Sequence, residues 1–151
     1  LVRAVFDRLA LPLERKGLHL KLNLEPGQVF GDRARLESAV ENLASNALRY
    51  TPEGGAVSVR LERAGGWLRL AVDNDGPSLT TQELTHLFEP FYRGDAARSR
   101  ATGGTGLGLA IVHSIALAMG GTVNCDTSEL GGARFSFSWP LWHNIPQFTS
   151  A

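Results

Sequence analysis

GGTGLGLAIV, residues Gly103 to Val112, places four glycines within six residues, directly before an apolar run that continues to Met119. Glycine weakens helices and strands, so a cluster indicates a loop with a special backbone. The stretch is not a P-loop, because no Gly-Lys-Ser/Thr follows, and no apolar strand leads into it as in a dinucleotide-binding turn. Glycines that run into a helix expose backbone N–H groups at its positive end, which favours phosphate. The alternative is a loop before a closely packed helix.

The composition predicts one compact domain over residues 1–151, since 43% of the residues are hydrophobic and 20% are charged. Fifteen basic and fifteen acidic residues give zero net charge, which favours neither nucleic acid nor an anionic membrane as a partner. The single cysteine, Cys125, excludes an internal disulfide and is predicted to be a small strand residue. The run from Leu107 to Met119 is shorter than the roughly 20 residues of a membrane span and predicts a buried helix.

Hydrophobic periodicity predicts a two-layer α/β sandwich, because antiparallel strand pairs occur with separate helices between them. Asp32 is the predicted N-cap of the long helix that ends near Tyr50. A hairpin turn is predicted around Gly65. The predicted helices cover residues 1–16, 33–50, 80–87 and 106–119, and the predicted strands cover 18–24, 57–61, 68–72, 122–127 and 133–139.

The long helix carries asparagines in ENLASNALRY, residues 41–50, although asparagine is a poor residue for a helix interior. At about 100° per residue, Asn42, Asn46 and Arg49 form a stripe beside the apolar face rather than opposite it. Amides at the edge of a core can line a cleft, where their oxygens help to ligate Mg²⁺. A polar flank that faces solvent is the other interpretation.

The strand that ends in LAVDNDGPS, residues 70–78, turns Asn74 to the same face as its apolar residues. Asp73 and Asp75 lie on the opposite face. The Asp-Gly-Pro sequence by itself indicates only a turn. Asn74 is nevertheless placed to meet a ligand at the end of the sheet.

Four segments together resemble the N, G1, F and G2 boxes of sensor histidine kinases, and the resemblance covers nearly the whole chain. They are ENLASNALRYTP (41–52), DNDGPS (73–78), FEPFYRGD (88–95) and GGTGLGLAIV (103–112), in that order. The resemblance implies a Bergerat-type ATP-binding fold of the GHKL superfamily, in which a mixed sheet is backed by about three helices. A flexible ATP lid is expected over about residues 78–103, and residues 141–151 form a tail.

The resemblance also implies roles for individual residues in binding ATP and Mg²⁺. Asn46 matches the magnesium-binding asparagine and Asn42 the asparagine one turn before it. Arg49 and Arg93 are expected to shield the phosphates, with Arg98 and Arg100 as further lid candidates, and Tyr50 packs near the nucleotide. The glycine-rich segment is expected to contact the phosphates through backbone amides of Gly104, Thr105, Gly106, Leu107 and Gly108.

The sequence departs from the family pattern in the G1 box, which reads D-x-G-x-G. Alignment on Gly76 puts Asn74 at the adenine-binding aspartate and Ser78 at the second glycine. The amide oxygen of Asn74 is able to accept from the adenine amino group, but it carries no charge and its NH₂ group is a donor. Asp75 is the alternative residue that could bind the adenine amino group.

Two reactions and one non-catalytic role are compatible with such a domain. Related ATPases carry a glutamate where Asn42 stands, and an amide cannot act as the base that activates water. Phosphoryl transfer to a partner is therefore favoured over ATP hydrolysis, with catalysis by positioning and by charge neutralisation. The alternative is a nucleotide-binding regulatory module without kinase output, as in anti-sigma-like relatives or degenerate kinases.

The acceptor histidine of the family is not expected in this chain, because none of its four histidines is followed by Asp or Glu. The resemblance implies a histidine on a separate helical dimerisation domain of the same protein, and a response regulator that works through that domain. The piece itself is expected to be a monomer without a membrane span. It is expected to lie in the cytoplasm, as part of a membrane-anchored sensor.

Overall fold

A computed structural model of the chain describes residues 1–94 and 105–142. These two ranges hold five α-helices and five strands. The helices are α1 (Val2–Arg8), α2 (Ala10–Arg15), α3 (Arg33–Tyr50), α4 (Thr81–His86) and α5 (Gly108–Ala118), and the strands are β1 (His19–Leu24), β2 (Ala56–Ala64), β3 (Trp67–Asn74), β4 (Thr122–Thr127) and β5 (Ala133–Pro140). No helix in the described part of the chain is long and apolar enough to cross a membrane.

The strands form one mixed sheet in the order β1-β2-β3-β5-β4. β1 is parallel to β2, and every other neighbouring pair is antiparallel. The hairpin between β2 and β3 turns at Gly65 and Gly66, whose φ angles of 54° and 85° are those that a two-residue type I′ turn requires. Helices α1, α3 and α5 complete the second layer, so the predicted two-layer α/β sandwich is confirmed.

The core lies between the sheet and these helices. Alternate residues at the start of β2, Val57 and Val59, are buried, as the period of two predicts, whereas residues 70–74 of the central strand β3 are all buried. One stripe of α3 is buried with them. The buried stripe of α3 includes Val40, Leu43 and Ala47, which form the apolar face beside the predicted polar stripe. The asparagines of α3 are left at the border of this core rather than inside it.

The prediction of a single helix over residues 1–16 is wrong, because the chain breaks at Leu9, which has φ −94° and ψ 4°. Pro12 explains the break. It lacks the N–H that would bond to the carbonyl of Arg8, and its ring collides with that carbonyl in a continuous helix.

Side chains hold both ends of α3. Asp32 Oδ1 accepts from the backbone N–H groups of Ala34 and Arg35 at 2.8 and 3.1 Å, which confirms the predicted N-cap. At the other end, Lys16 Nζ donates to the carbonyl oxygens of Leu48 and Arg49 at 2.6 and 3.2 Å. These carbonyls belong to the last turn, where the helix itself supplies no donors. Both contacts fix the helix that carries the candidate site residues.

Asp73 is buried although it lies on the sheet face away from the helices. Its Oδ1 accepts from Ser128 Oγ and from Arg134 Nε, both at 2.7 Å. Strand alternation predicts the direction of Asp73 but not its burial, because both partners come from distant parts of the sequence. The carboxylate thereby joins the end of β3 to the turn between β4 and β5.

Asp73→Ala is expected to lower the free energy of unfolding by about 2–3 kcal/mol, since it removes the shared acceptor of a charged and a neutral donor. Urea unfolding followed by circular dichroism measures the change. Arg8→Ala is the control, because it removes only exposed ion pairs to Glu37 and Glu41 and is expected to change stability little. An unfolding midpoint for Asp73→Ala equal to that of Arg8→Ala would contradict this account.

Candidate functional site

A cleft of about 190 Å³ opens between α3 and α5, at the end of the sheet where β3 ends and β5 begins. Its walls contain nine of the residues that the sequence singled out. They are Asn42, Asn46, Arg49, Tyr50, Asn74, Arg93, Thr105, Gly106 and Gly108.

The α3 wall carries the predicted polar stripe. Asn42, Asn46 and Arg49 all face the cleft, so the stripe does not face open solvent. Asn42 Nδ2 donates to the carbonyl oxygen of Ser38 at 2.8 Å, which leaves Asn42 Oδ1 directed to the opposite wall. A Cβ placed on Gly108 would lie 2.8 Å from this oxygen. Glycine at position 108 therefore allows the start of α5 to approach Asn42 closely.

The opposite wall is the beginning of α5. Its N-cap residue, Leu107, forms no side-chain cap, and the first turn contains no acidic residue. By contrast, α3 and α4 are capped by Asp32 and Thr80. The N–H groups at this positive helix end are thus presented to the cleft without an internal anion, as an anion-binding site requires.

Residues near the ends of the two described ranges, Phe91 and Gly106, contact each other beside this wall. Phe91 N–H donates to the carbonyl oxygen of Gly106 at 3.0 Å. Phe91 has φ 63° and Gly106 has φ 73°, and the left-handed region is uncommon for a residue such as phenylalanine. A Cβ on Gly106 would lie 2.8 Å from the carbonyl carbon of Phe91, so this contact depends on glycine.

The floor of the cleft contains Asn74, which is 2% exposed. Its Oδ1 accepts from the backbone N–H groups of Gly76 at 3.0 Å and Ala133 at 3.3 Å. Glycine at position 76 is needed for this turn, because a Cβ there would collide with the carbonyl oxygen of Tyr50. Asn74 is thereby locked between the end of β3 and the beginning of β5.

Four predicted site residues are not part of the cleft wall as described. Asp75 is turned away from it: its Oδ1 is buried without a hydrogen-bond partner and lies 2.5 Å from where a Cβ of Gly55 would be. Asn74 lines the cleft, and Asp75 does not. Gly76 and Leu107 are not among the lining residues, and Gly104 lies outside the described residues, as do the lid candidates Arg98 and Arg100.

Sequence reasoning missed the apolar part of the cleft and one carboxylate. The carboxylate is Glu83, whose Oε2 accepts from the N–H and Oγ1 of Thr80 in a capping box. The T-x-x-E pattern of residues 80–83, at the start of the predicted helix over residues 80–87, is a signal from which the capping role of Glu83 was recognisable. The apolar and other remaining lining residues come from separate elements and carry no local signal. They are Ser45, Pro77, Leu79, Leu87, Tyr92, Gly94, Leu109, Ala133 and Phe135.

The cysteine and the described histidines take no part in the cleft. Burial, together with the charge of Asp126, raises the pKa of Cys125 to about 12, so the side chain remains a thiol at neutral pH. This agrees with its predicted role as a strand residue. His19 begins β1, His86 Nδ1 lies 2.8 Å from Glu89 Oε1, and the ring of His113 stacks on Phe88.

The side-chain oxygens of the cleft suit a metal ion only when phosphate is also present. Among residues 1–94 and 105–142, no group of three His, Cys, Asp or Glu side chains is placed to hold a metal ion. The oxygen ligands on the α3 wall are amides, which suit Mg²⁺ when phosphate oxygens and waters complete its octahedron. Asn46 and Asn42 Oδ1 fit such a shared site.

Comparisons with known proteins agree with this geometry. The family model described as "Histidine kinase-, DNA gyrase B-, and HSP90-like ATPase" matches residues 31–143. Sensor protein RstB of Escherichia coli is 62% identical over 120 residues, which are 80% of this chain and 27% of that protein. The mycobacterial sensor histidine kinase MprB superposes with a TM-score of 0.81 at 33% identity, over 92% of this chain and 95% of that one. Full-length ShkA in complex with AMPPNP gives 0.77 at 31% identity, over 93% of this chain and 29% of that one.

Proposed function

Because the chain belongs to the histidine kinase-, DNA gyrase B- and HSP90-like ATPase family, we propose that it is the ATP-binding catalytic domain of a two-component sensor histidine kinase. The chain spans 27–30% of the length of the first curated relatives it matches. The proposed reaction is transfer of the γ-phosphoryl group of ATP to a histidine on a separate dimerisation domain.

One observation carries this proposal: an uncapped helix end and a helix with two asparagines face each other across a cleft whose lining also contains apolar side chains. The N–H groups of α5 suit phosphates, and the apolar residues, among them Leu79, Leu87 and Phe135, suit a planar base. The cleft therefore offers complementary surfaces to both ends of a nucleoside triphosphate. Similarity to ShkA, which was solved with AMPPNP, supports the same occupant.

The chain's own residues act by holding the phosphates in place. Arg49 and Arg93 lie in the cleft wall, where their positive charges reduce the repulsion that a triphosphate brings. The backbone N–H groups at the start of α5 donate to phosphate oxygens. The amide oxygens of Asn46 and Asn42 would hold Mg²⁺, which would supply charge neutralisation at the phosphates.

ATP hydrolysis is disfavoured by the residue that faces the α5 wall. Asn42 is an amide whose Nδ2 is engaged with Ser38, so it offers no base to a water molecule. Glu83 does line the cleft, but its Oε2 accepts two hydrogen bonds from Thr80 in the capping box, and its Oε1 packs against Gly94. Transfer to a partner histidine is the reaction that these residues fit.

The acceptor is proposed to belong to a helical dimerisation domain of the same protein, through which a response regulator receives the phosphoryl group. None of His19, His86 and His113 lines the cleft, and His143 lies outside the described residues. The names of the relatives, which are sensor proteins and sensor histidine kinases, support a role in sensing. The domain is proposed to be the cytoplasmic portion of a membrane-anchored sensor.

Incubation with γ-³²P-labelled ATP and Mg²⁺ tests the proposal. The chain is mixed with a separately expressed helical dimerisation domain of a sensor kinase, and in a parallel sample with the same domain carrying Gln in place of its acceptor histidine. We expect label on the first domain only, and little label on the chain itself.

Two outcomes distinguish the alternatives. Strong labelling of the chain alone would contradict an acceptor in trans. Tight ATP binding without transfer to any histidine domain would favour a regulatory module without kinase output, which the departures at Asn74 and Ser78 leave open.

A further inference from the structure

Asn74 enters the cleft with one end of its amide already bound. The backbone N–H groups of Gly76 and Ala133 both donate to its Oδ1. A rotation of the amide by 180° would set its NH₂ group against these two donors and lose both bonds. The backbone therefore determines which end of the amide is oxygen and which is nitrogen.

The remaining end, Nδ2, is a donor and has no lone pair to accept with. The Oδ1 side is closed by backbone, because a Cβ on Gly132 would lie 2.5 Å from both the carbonyl oxygen and Oδ1 of Asn74. Since Asn74 lines the cleft, Nδ2 is the group that a bound base meets.

Purine bases differ in what they offer to such a donor. Adenine carries an amino group at position 6, which is a donor, whereas guanine carries an oxygen there, which is an acceptor. The hypoxanthine base of inosine triphosphate (ITP) carries the same oxygen without the additional amino group of guanine. A donor at residue 74 pairs with the oxygen and opposes the amino group.

We propose that Asn74 makes this cleft accept 6-oxopurine nucleotides at least as well as ATP, with Nδ2 donating to O6 of the base. The inference rests on the proposed function, because it requires a nucleoside triphosphate in the cleft. Asn74→Asp is expected to shift the preference towards ATP: one carboxylate oxygen keeps the bonds from Gly76 and Ala133, and the other accepts from the adenine amino group.

Equilibrium binding tests the proposal without reference to turnover. Mg²⁺-ATP and Mg²⁺-ITP are used to displace a fluorescent ATP analogue labelled on the ribose from the wild-type chain, from Asn74→Asp and from Asn124→Asp. Asn124 is exposed on β4, so the last variant makes the same chemical change away from the cleft. Circular dichroism confirms that each variant is folded.

In the wild-type chain and in Asn124→Asp, ITP is expected to bind within threefold of ATP or more tightly. In Asn74→Asp the ratio of the dissociation constants of ITP and ATP is expected to change at least tenfold in favour of ATP, as for a hydrogen bond to a charged acceptor. A wild-type preference for ATP above threefold overturns the inference but leaves the proposed function intact. A wild-type chain that binds neither nucleotide overturns both. If Asn74→Asp does not fold, the wild-type ratio decides alone.

Discussion

Asn46→Ala is expected to lower the rate of phosphoryl transfer to the partner histidine by about 100-fold or more. Asn46 lies on the cleft-facing stripe of α3, and its amide oxygen is the proposed protein ligand of Mg²⁺. Alanine has a higher helix propensity than asparagine, so the substitution is not expected to destabilise α3. The loss is measured as the initial rate of label transfer from γ-³²P-labelled ATP to the dimerisation domain at saturating ATP.

The matched control is Asn23→Ala, which removes an exposed amide on β1 and is expected to leave the rate within twofold. A magnesium titration separates the proposed role from a general loss of structure. Asn46→Ala should weaken the dependence of ATP binding on Mg²⁺ and keep the unfolding midpoint. Equal transfer rates for both variants would remove Asn46 from the catalytic machinery.

Gly106→Ala is expected to weaken ATP binding by about 30-fold, or about 2 kcal/mol. Two effects add at this position. The φ of 73° is strained for alanine, and the new Cβ would lie 2.8 Å from the backbone of Phe91. Relief of this contact separates Gly106 from Phe91 and displaces the N–H groups that begin α5. Binding is measured by displacement of the fluorescent nucleotide.

Gly120→Ala provides the control at the other end of the same helix. Gly120 has φ 66°, but no atom lies within 4 Å of the position of its Cβ. Alanine at position 120 would therefore suffer similar backbone strain without a steric collision. We expect the Gly120→Ala variant to be less stable than the wild-type chain, with an ATP affinity within twofold. The same affinity for both variants would show that strain alone, and not the contact with Phe91, accounts for any effect.

The elements of the fold were predictable from local patterns, because period-two strands, the Asp32 cap and the left-handed glycines each act within a few residues. The pairing of β1 parallel to β2 was not, since it joins residues 19–24 to 56–61 across the whole of α3. The break at Leu9 was predictable in principle from Pro12, but the apolar spacing of residues 1–16 outweighed it in the prediction.

Part of the candidate site was likewise predictable from local sequence patterns, and part was not. The stripe of Asn42, Asn46 and Arg49 follows from helix geometry, and Asn74 follows from strand alternation; both reach the cleft wall. The choice between Asn74 and Asp75 was left open by the sequence, because a shift of the turn exchanges them. The apolar lining was missed because it comes from segments far apart in the sequence, such as Leu79 before α4 and Phe135 in β5.

The ion pair of Asp73 with Arg134 bears on the chemistry of the cleft floor, although neither residue lines the cleft. Side chains alternate along a strand, so a slip of β3 by one residue would turn Asp75 inward and Asn74 outward. The floor would then change from a neutral donor to an anion without any change in sequence. By adding to the backbone pairing that holds β3 and β5 in register, the buried carboxylate on one face of the sheet helps to fix which chemical group the other face presents.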